Sequence, residues 1–267
     1  MAEHYGGAGS GQNRVTRPFV DPGVDPFLAG ILESLATRAW SKPCHDPGGT
    51  FLLSPLGLSR DSSPQGLWQT LGRIYAHARN WAPGLDIPWF VPPVQIANLE
   101  SKAGHFLVDE ESYASIAVST EFLGNIDATF LILGHEACHH ILLQSGISYE
   151  FKNDVTLNER YTDLTMFVCG FGEIVRRGHS AVRRCHGQYV NTHLGYLGSD
   201  EYERAYRYVL AKRAAEHLPG LPKRASVLTY LRKQFGRLAT PSGRSTPGSN
   251  LLEKVIKETE RQRPQRD

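Results

Sequence analysis

Apolar residues recur every three or four positions in several stretches of the chain, which is the pattern of helices packed against a core. The first such stretch follows Asp25-Pro26 and runs to about Trp40, and a proline just after an aspartate is typical of a helix start. Asn125 and Asp127 are both suited to cap a later helix. The pattern predicts helices at residues 25–40, 65–80, 126–146 and 157–176, one helix beginning at Ser199 and one near residues 228–235. The helix at 157–176 is expected to break near its glycines.

Between the second and third predicted helices the pattern changes to that of short strands. The segments 94–99, 105–108 and 113–120 are short and rich in apolar residues, and the last alternates apolar with small, polar positions. This alternation predicts a strand with one buried face and one accessible face. A small, mostly antiparallel sheet followed by a predominantly helical C-terminal half indicates the α+β class.

The two ends of the chain differ from its middle. Residues 1–23 predict a flexible N-terminus, residues 24–236 a single domain, and residues 237–267 a linker-like, basic tail. The segment from Gly220 onward contains 11 basic and 4 acidic residues, whereas the first 219 residues contain 18 basic and 23 acidic ones. The tail is therefore either a solvated extension or a contact for nucleic acid or an acidic partner.

Several features predict a cytoplasmic protein that does not engage a membrane. No uninterrupted apolar run of about 18 residues occurs, as a membrane-spanning helix would need. The N-terminal segment lacks the apolar stretch of a secretory signal. The four cysteines follow no regular framework, and Cys138 and Cys169 lie in apolar segments that favour small core residues. We therefore expect free thiols.

The segment 135–139 reads H-E-A-C-H, an H-E-x-x-H motif on the most apolar predicted helix. Because residues four apart lie on one helix face, His135 and His139 can both reach one metal ion. Glu136 lies to the side of this pair, where it can hold a metal-bound water and accept its proton. Zinc lowers the pKa of such a water to about 7. His140 points about 100° away from the ligand face, which favours a packed or hydrogen-bonded histidine.

A third ligand decides whether the motif is a metal site. The metzincin pattern requires Gly and His three and six residues after His139, but Leu142 and Ser145 occupy these positions. A glutamate on the following helix is the other known completion, and Glu159 lies 20 residues after His139. Asp163, four residues further along the same helix face, is placed to hydrogen-bond a ligating histidine.

With these residues the sequence resembles the gluzincin metallopeptidases. H-E-x-x-H followed by N-E-x-x-[ST]-D at this separation is similar to thermolysin and its relatives, although the similarity covers only residues 134–163. The resemblance implies a zincin-like core and one Zn²⁺ per chain. It further implies that the ion is held by His135, His139 and Glu159, that Glu136 is the general base, and that Asp163 supports a ligand.

The resemblance also implies two features that bind substrate. In gluzincins an edge strand before the active-site helix pairs with extended peptide, and segment 112–120 is expected to be that strand, with an ordinary interior strand as the alternative. A histidine or tyrosine is expected to stabilise the oxyanion. Spacing does not select among the candidates, although glycines beside His193 favour that residue. The candidates are His179, His186, His193, Tyr149, Tyr161 and Tyr196.

The leading hypothesis is a zinc-dependent metallopeptidase that hydrolyses a peptide or protein substrate with a zinc-activated water. The alternative is a catalytically weak or inactive zinc-stabilised binding or regulatory module that uses the basic tail. After the Glu159 helix, Arg176-Arg177 and Arg183-Arg184 flank a glycine-histidine loop, interpreted as a solvated basic loop or as a site for acidic substrate. The sequence has no P-loop, dinucleotide-binding or α/β-hydrolase motif.

Overall fold

The computed structural model of the protein describes residues 26–100, 102–110, 113–147, 154–185, 188–216 and 218. The predicted flexible segment 1–23, the tail 237–267 and the predicted helix near 228–235 lie outside these residues, as do Tyr149 and His186. The helices are α1 (Pro26–Ala39), α2 (Pro64–Trp81), α3 (Ile126–Gln144), α4 (Val155–Val168), α5 (Gly172–Gly178) and α6 (Ser199–Ala215). The strands are β1 (Val94–Ala97), β2 (Gly104–Val108), β3 (Ala114–Ser119), β4 (Ser180–Cys185) and β5 (Gln188–His193).

Helix α3 lies at the centre of the described structure. It packs against α2, α4 and α5 and also against β2 and β3, which explains why its sequence is apolar on nearly every face. The side chain of Asn125 accepts a hydrogen bond from the Ala128 N–H at 3.2 Å, so Asn125 rather than Asp127 caps the helix. After the helix ends, Gly146 adopts a positive φ of 72°, as helix-terminating glycines commonly do.

The predicted helix 157–176 is two helices, as its glycines indicated. Asp154 caps α4 by accepting from the Leu157 N–H at 2.9 Å. After α4, Gly170 has a φ of 87°, and a Cβ there would lie 2.1 Å from the Phe51 carbonyl oxygen. Only glycine fits this turn without displacing backbone. The turn separates α4, which carries Glu159, from α5.

The main sheet is mixed and has the order β1-β3-β2 among the described residues. Strand β3 pairs in parallel with β1 and antiparallel with β2, so the sheet is not mostly antiparallel. The expectation that segment 112–120 is an edge strand is wrong, because β3 has a partner on each side. The expected accessible face is also largely covered, since Ala117 is 4% and Ser119 0% exposed. The interior-strand alternative is the one observed.

Strands β4 and β5 form an antiparallel hairpin where the sequence predicted a basic loop. Polar and basic residues interrupt the alternation in both strands, and β5 is exposed along almost all its length, so the local pattern gave little strand signal. Arg183 makes a 3.2 Å ion pair with Glu121, and Arg177 makes a 3.1 Å ion pair with Asp127. These arginines therefore attach this region to the rest of the molecule.

The observed architecture belongs to the α+β class, with a small mixed sheet and a mostly helical remainder. One hydrophobic core joins α1 to α6 with the inner face of the sheet. None of the helices in the described ranges combines the length and the apolar character needed to cross a membrane.

Candidate metal centre

Helices α3 and α4 bring His135, His139 and Glu159 together. The two Nε2 atoms of the histidines are 3.1 Å apart, and Glu159 Oε2 lies 3.0 Å from His135 Nε2 and 3.1 Å from His139 Nε2. Ligand atoms in a tetrahedral zinc site are about 3.3 Å apart, given bonds of about 2.0–2.1 Å. The three atoms are therefore nearly as far apart as the ligands of one ion, and this group could hold a metal ion.

Hydrogen bonds to the outer ring nitrogens define which histidine atoms are free to bind an ion. His135 Nδ1 lies 2.9 Å from Asp163 Oδ1, and His139 Nδ1 lies 3.1 Å from Thr162 Oγ1. The Thr162 hydroxyl donates to the Asn158 carbonyl at 2.9 Å, so its oxygen can accept from His139. These partners assign the proton to Nδ1 in both rings and leave a lone pair on each Nε2. Three acceptor atoms then converge, an arrangement that favours a cation.

Charge around the site favours a positive species at this point. Burial opposes protonation of His135, but the carboxylates of Asp163 and Glu159 outweigh burial and hold its pKa well above the usual value, so the Nε2 lone pair favours a bound cation, either a proton or a metal ion. Burial would raise the pKa of Glu159, but its close approach to the imidazoles of His135 and His139 lowers it to about 2. The carboxylate is thus ionised at neutral pH and suited to ligate a metal.

Glu136 lies beside the three converging atoms and against strand β2. The side chain is 6% exposed, and burial raises its pKa, with the nearby His135 and His139 partly opposing that shift. A Cβ built on Gly104 would lie 2.5 Å from Glu136 Oε1. The glycine therefore permits the backbone of β2 to approach this carboxylate, and no larger residue would fit without movement.

Strand β2 presents an open edge next to Glu136. The Ser119 N–H donates to the Ala103 carbonyl at 2.9 Å, and the Asp109 N–H donates to the Tyr113 carbonyl at 3.1 Å. Because hydrogen-bonding positions alternate along an antiparallel strand, Gly104, Phe106 and Val108 direct their N–H and C=O groups away from β3. Among the described strands, the edge strand beside the site is therefore β2 and not segment 112–120.

Asp163 connects the three-residue group to α6 and to the loop before it. Its side chain is 1% exposed, and its Oδ2 atom accepts from three donors. These are the N–H of Tyr196 at 2.6 Å, the N–H of Leu197 at 3.2 Å and the Tyr202 hydroxyl at 2.9 Å. The contact with His135 is the one expected from the sequence. The other contacts join parts of the chain more than 30 residues apart, and no local sequence motif could predict them.

Among the oxyanion candidates within the described residues, the structure brings Tyr196 to the site. Its ring lies nearly parallel to that of His135 with centroids 6.3 Å apart, and it is 53% exposed. Burial and the carboxylates of Glu159, Asp163 and Glu136 raise the pKa of Tyr196, so its hydroxyl stays a donor. The favoured candidate, His193, instead uses Nε2 to donate to the Leu197 carbonyl at 2.9 Å.

His140 and the two cysteines Cys138 and Cys169, on α3 and just after α4, are part of the core. His140 is 1% exposed, its Nδ1 lies 2.9 Å from the Tyr75 hydroxyl, and burial lowers its pKa to about 4. This confirms a packed, hydrogen-bonded histidine. Cys138 and Cys169 are both fully buried, and burial raises the pKa of the Cys138 thiol. Both are core residues, as the sequence predicted.

The site combines residues from β2, α3, α4 and the loop before α6. His135, His139 and Glu159, the three ligands expected from the sequence, are brought together. Asp163 is hydrogen-bonded to His135, and the charge of Glu136 interacts with all three residues. Thr162 was not assigned a role from the sequence, although its position three residues after Glu159 in the N-E-x-x-[ST]-D element could have identified it.

No family model, curated protein or solved structure matches the chain.

Proposed function

We propose that the protein is a zinc-dependent metallopeptidase of the gluzincin type. The observation that supports this most strongly is the position of the Glu136 carboxylate, which lies next to both the three-ligand group and the open edge of β2. A general base, a metal centre and a strand edge that can bind peptide backbone are the parts that peptide hydrolysis needs.

In this proposal His135, His139 and Glu159 hold one Zn²⁺ per chain. Two imidazoles and one carboxylate are a donor set found in catalytic zinc sites, which keep a fourth position for water or substrate. Zinc bound here would polarise the substrate carbonyl and lower the pKa of the attacking water. Asp163 and Thr162 fix the ring orientations of the two histidines through their Nδ1 atoms.

Glu136 moves the proton. Its carboxylate accepts a proton from the attacking water and passes it to the nitrogen of the leaving amine. The nearby Tyr196 hydroxyl donates a hydrogen bond to the substrate carbonyl oxygen as negative charge develops there.

The open edge of β2 binds the substrate backbone. Gly104, Phe106 and Val108 offer N–H and C=O groups to an extended peptide, which favours peptides or unfolded protein segments as the substrate class. Gly104 places this backbone next to Glu136, so a peptide on the edge lies close to the general base. A cytoplasmic location belongs to the same proposal, supported by free thiols at Cys44, Cys138 and Cys169.

A randomised peptide mixture tests the proposed activity, with cleavage products identified by mass spectrometry. We expect the zinc-loaded chain to cut peptides. Glu136→Gln should retain about one zinc per chain and lose activity by at least about 100-fold, as expected for removal of a general base. Glu110→Gln, an exposed glutamate just after β2, is the matched control and should retain activity.

Full activity of Glu136→Gln would contradict the mechanism. Stoichiometric zinc without any cleavage by the wild-type chain would contradict the peptidase assignment and favour the zinc-stabilised binding or regulatory module.

A further inference from the structure

An aromatic cluster lies one helical turn beyond Glu136 along α3. His140 is four residues after Glu136 and therefore lies on nearly the same helix face, about 6 Å further along the axis. Its ring stacks against Phe106 of β2 with centroids 5.0 Å apart, and it contacts Phe90 at 5.3 Å. The cluster is thus adjacent to the general base.

The inner residue of this cluster, His140, is held by a hydrogen bond, whereas its outer residue, Phe90, is accessible to solvent. His140 is hydrogen-bonded to the buried Tyr75 hydroxyl, whose ring also contacts it edge-on at 5.9 Å. Phe106 is half-buried, whereas Phe90 is 52% exposed. The result is an aromatic surface with a rigid floor and an accessible face next to the metal centre.

The register of β2 relates this surface to a bound peptide. Residues directly opposite each other on paired strands place their side chains on the same face of the sheet. A residue of a peptide paired with the edge of β2 lies beside Glu136 when it is opposite Gly104, because this glycine has no side chain between them. The peptide residue two positions further lies opposite Phe106, so its side chain is directed to the face that carries Phe106, Phe90 and His140.

We infer that Phe90 and Phe106 form a subsite for an aromatic or large apolar side chain of the substrate. This side chain belongs to the substrate residue two positions from the one that lies opposite Gly104, beside Glu136. The inference rests on the proposed function, since a peptide on the β2 edge sets its register. Such a side chain would bury apolar area against both rings and gain aromatic contacts. A carboxylate at the same position would lose hydration against these rings, which disfavours acidic residues.

The neighbouring Trp89 provides a matched control for Phe90. Trp89 is 87% exposed, and its ring lies under the Arg79 guanidinium at 5.4 Å. Its removal deletes an exposed aromatic side chain from the same segment. Neither Phe90→Ala nor Trp89→Ala removes a fully buried side chain, so both variants should fold, and zinc content per chain checks this.

The experiment uses the full chain loaded with Zn²⁺ and a randomised peptide library, with two readouts. The first is the set of cut sites produced by the wild-type, Phe90→Ala and Trp89→Ala chains. The second is the set of peptides retained by the same three chains carrying Glu136→Gln, which reports binding without cleavage. We expect aromatic and large apolar residues to be enriched over acidic ones at one fixed position, on the order of tenfold, in wild type and Trp89→Ala. Phe90→Ala should lose most of that enrichment.

The two readouts separate the subsite from the proposed activity. Cleavage or retention without positional enrichment, or enrichment that survives in Phe90→Ala, would overturn the subsite and leave the peptidase proposal standing. Enriched retention that depends on Phe90, without cleavage by wild type, would overturn the peptidase proposal and support the subsite as a peptide-binding site. Neither cleavage nor retention would overturn both.

Discussion

The Asp163 side chain holds the backbone of Tyr196 beside His135, with the Tyr196 N–H donating to Oδ2 at 2.6 Å. The other oxygen of the same carboxylate bonds His135 Nδ1 at 2.9 Å. One buried carboxylate therefore orients a ligand and positions the tyrosine proposed to bind the substrate carbonyl. Such a shared anchor links the geometry of α3, α4 and the loop before α6.

Asp163→Asn should weaken zinc binding. The amide has one acceptor oxygen and an NH₂ group, so a donor would face either His135 Nδ1 or the donors of the loop. We expect zinc affinity to fall about 10–100-fold in a competition titration. Asp154→Asn is the matched control, because asparagine caps α4 as well as aspartate does. Equal affinity of wild type and Asp163→Asn would show that this carboxylate does not support the ligand.

Tyr196→Phe should lower kcat with little change in KM or zinc content. The variant keeps the ring beside His135 and removes only the hydroxyl, whose hydrogen bond strengthens as charge develops on the substrate oxygen. Loss of one such donor reduces kcat about 100-fold or more. Steady-state kinetics on a peptide cut by the wild type measure this. Tyr189→Phe on the β4–β5 hairpin, 78% exposed, is the control, and an unchanged kcat in Tyr196→Phe would contradict the assigned role.

Gly104→Ala should separate metal binding from activity. The new Cβ would lie 2.5 Å from Glu136 Oε1 and 2.5 Å from Ile132 Cγ2, so the carboxylate or β2 must move. A shift of about 1 Å at a reacting group can cost about 100-fold in rate. We expect peptide hydrolysis to fall by more than about tenfold while zinc stays bound, because the ligands lie on α3 and α4. Gly30→Ala, where a Cβ meets no atom within 4 Å, is the control. Normal turnover by Gly104→Ala would argue against a close approach of β2 to the general base.

Unfolding should become easier as the pH falls below about 6.5 because of His77. Burial, opposed by a hydrogen bond to the Phe51 carbonyl, lowers its pKa to about 4. Between about pH 6.5 and 4, His77 is protonated in the unfolded chain but stays neutral in the folded chain. The free energy of unfolding therefore decreases as the pH falls. The upper limit for this one group is about 1.4 kcal/mol per pH unit.

His77→Gln tests that contribution, since glutamine keeps a donor for the Phe51 carbonyl and does not titrate. Urea unfolding in the presence of a chelator, at several pH values between 7 and 4.5, gives the free energy of unfolding without a contribution from metal. The variant should show a shallower decline than the wild type. Parallel declines would exclude His77 as a source of the pH dependence.

The grouping of His135, His139 and Glu159 could be predicted from the sequence because its spacing is local to two helices. His135 and His139 are four residues apart on one helix, and Glu159 and Asp163 are four apart on the next, so helix geometry alone aligns each pair. Helix starts were also predictable where capping side chains occur, as at Asn125. Local periodicity and capping are encoded within a few residues of each position.

The rest of the site depends on contacts between distant segments. The order β1-β3-β2 places β2 rather than β3 at the edge, and nothing within a single strand encodes which strand pairs on both sides. Tyr196 reaches the site because Asp163 holds its backbone, a contact 33 residues apart in sequence. His193, which its neighbouring glycines favoured, ends β5, and its Nε2 donates to the Leu197 carbonyl.

The most direct test of the proposed zinc centre is metal content per chain, measured by elemental analysis on wild type, His135→Ala and Glu159→Ala. His193→Ala, a histidine outside the three-ligand group, serves as the control. We expect about one zinc in wild type and in the control, and little or none in the two ligand variants, because two remaining ligands bind zinc weakly. No zinc uptake by the wild type, or equal uptake by all four chains, would contradict a zinc centre at His135, His139 and Glu159.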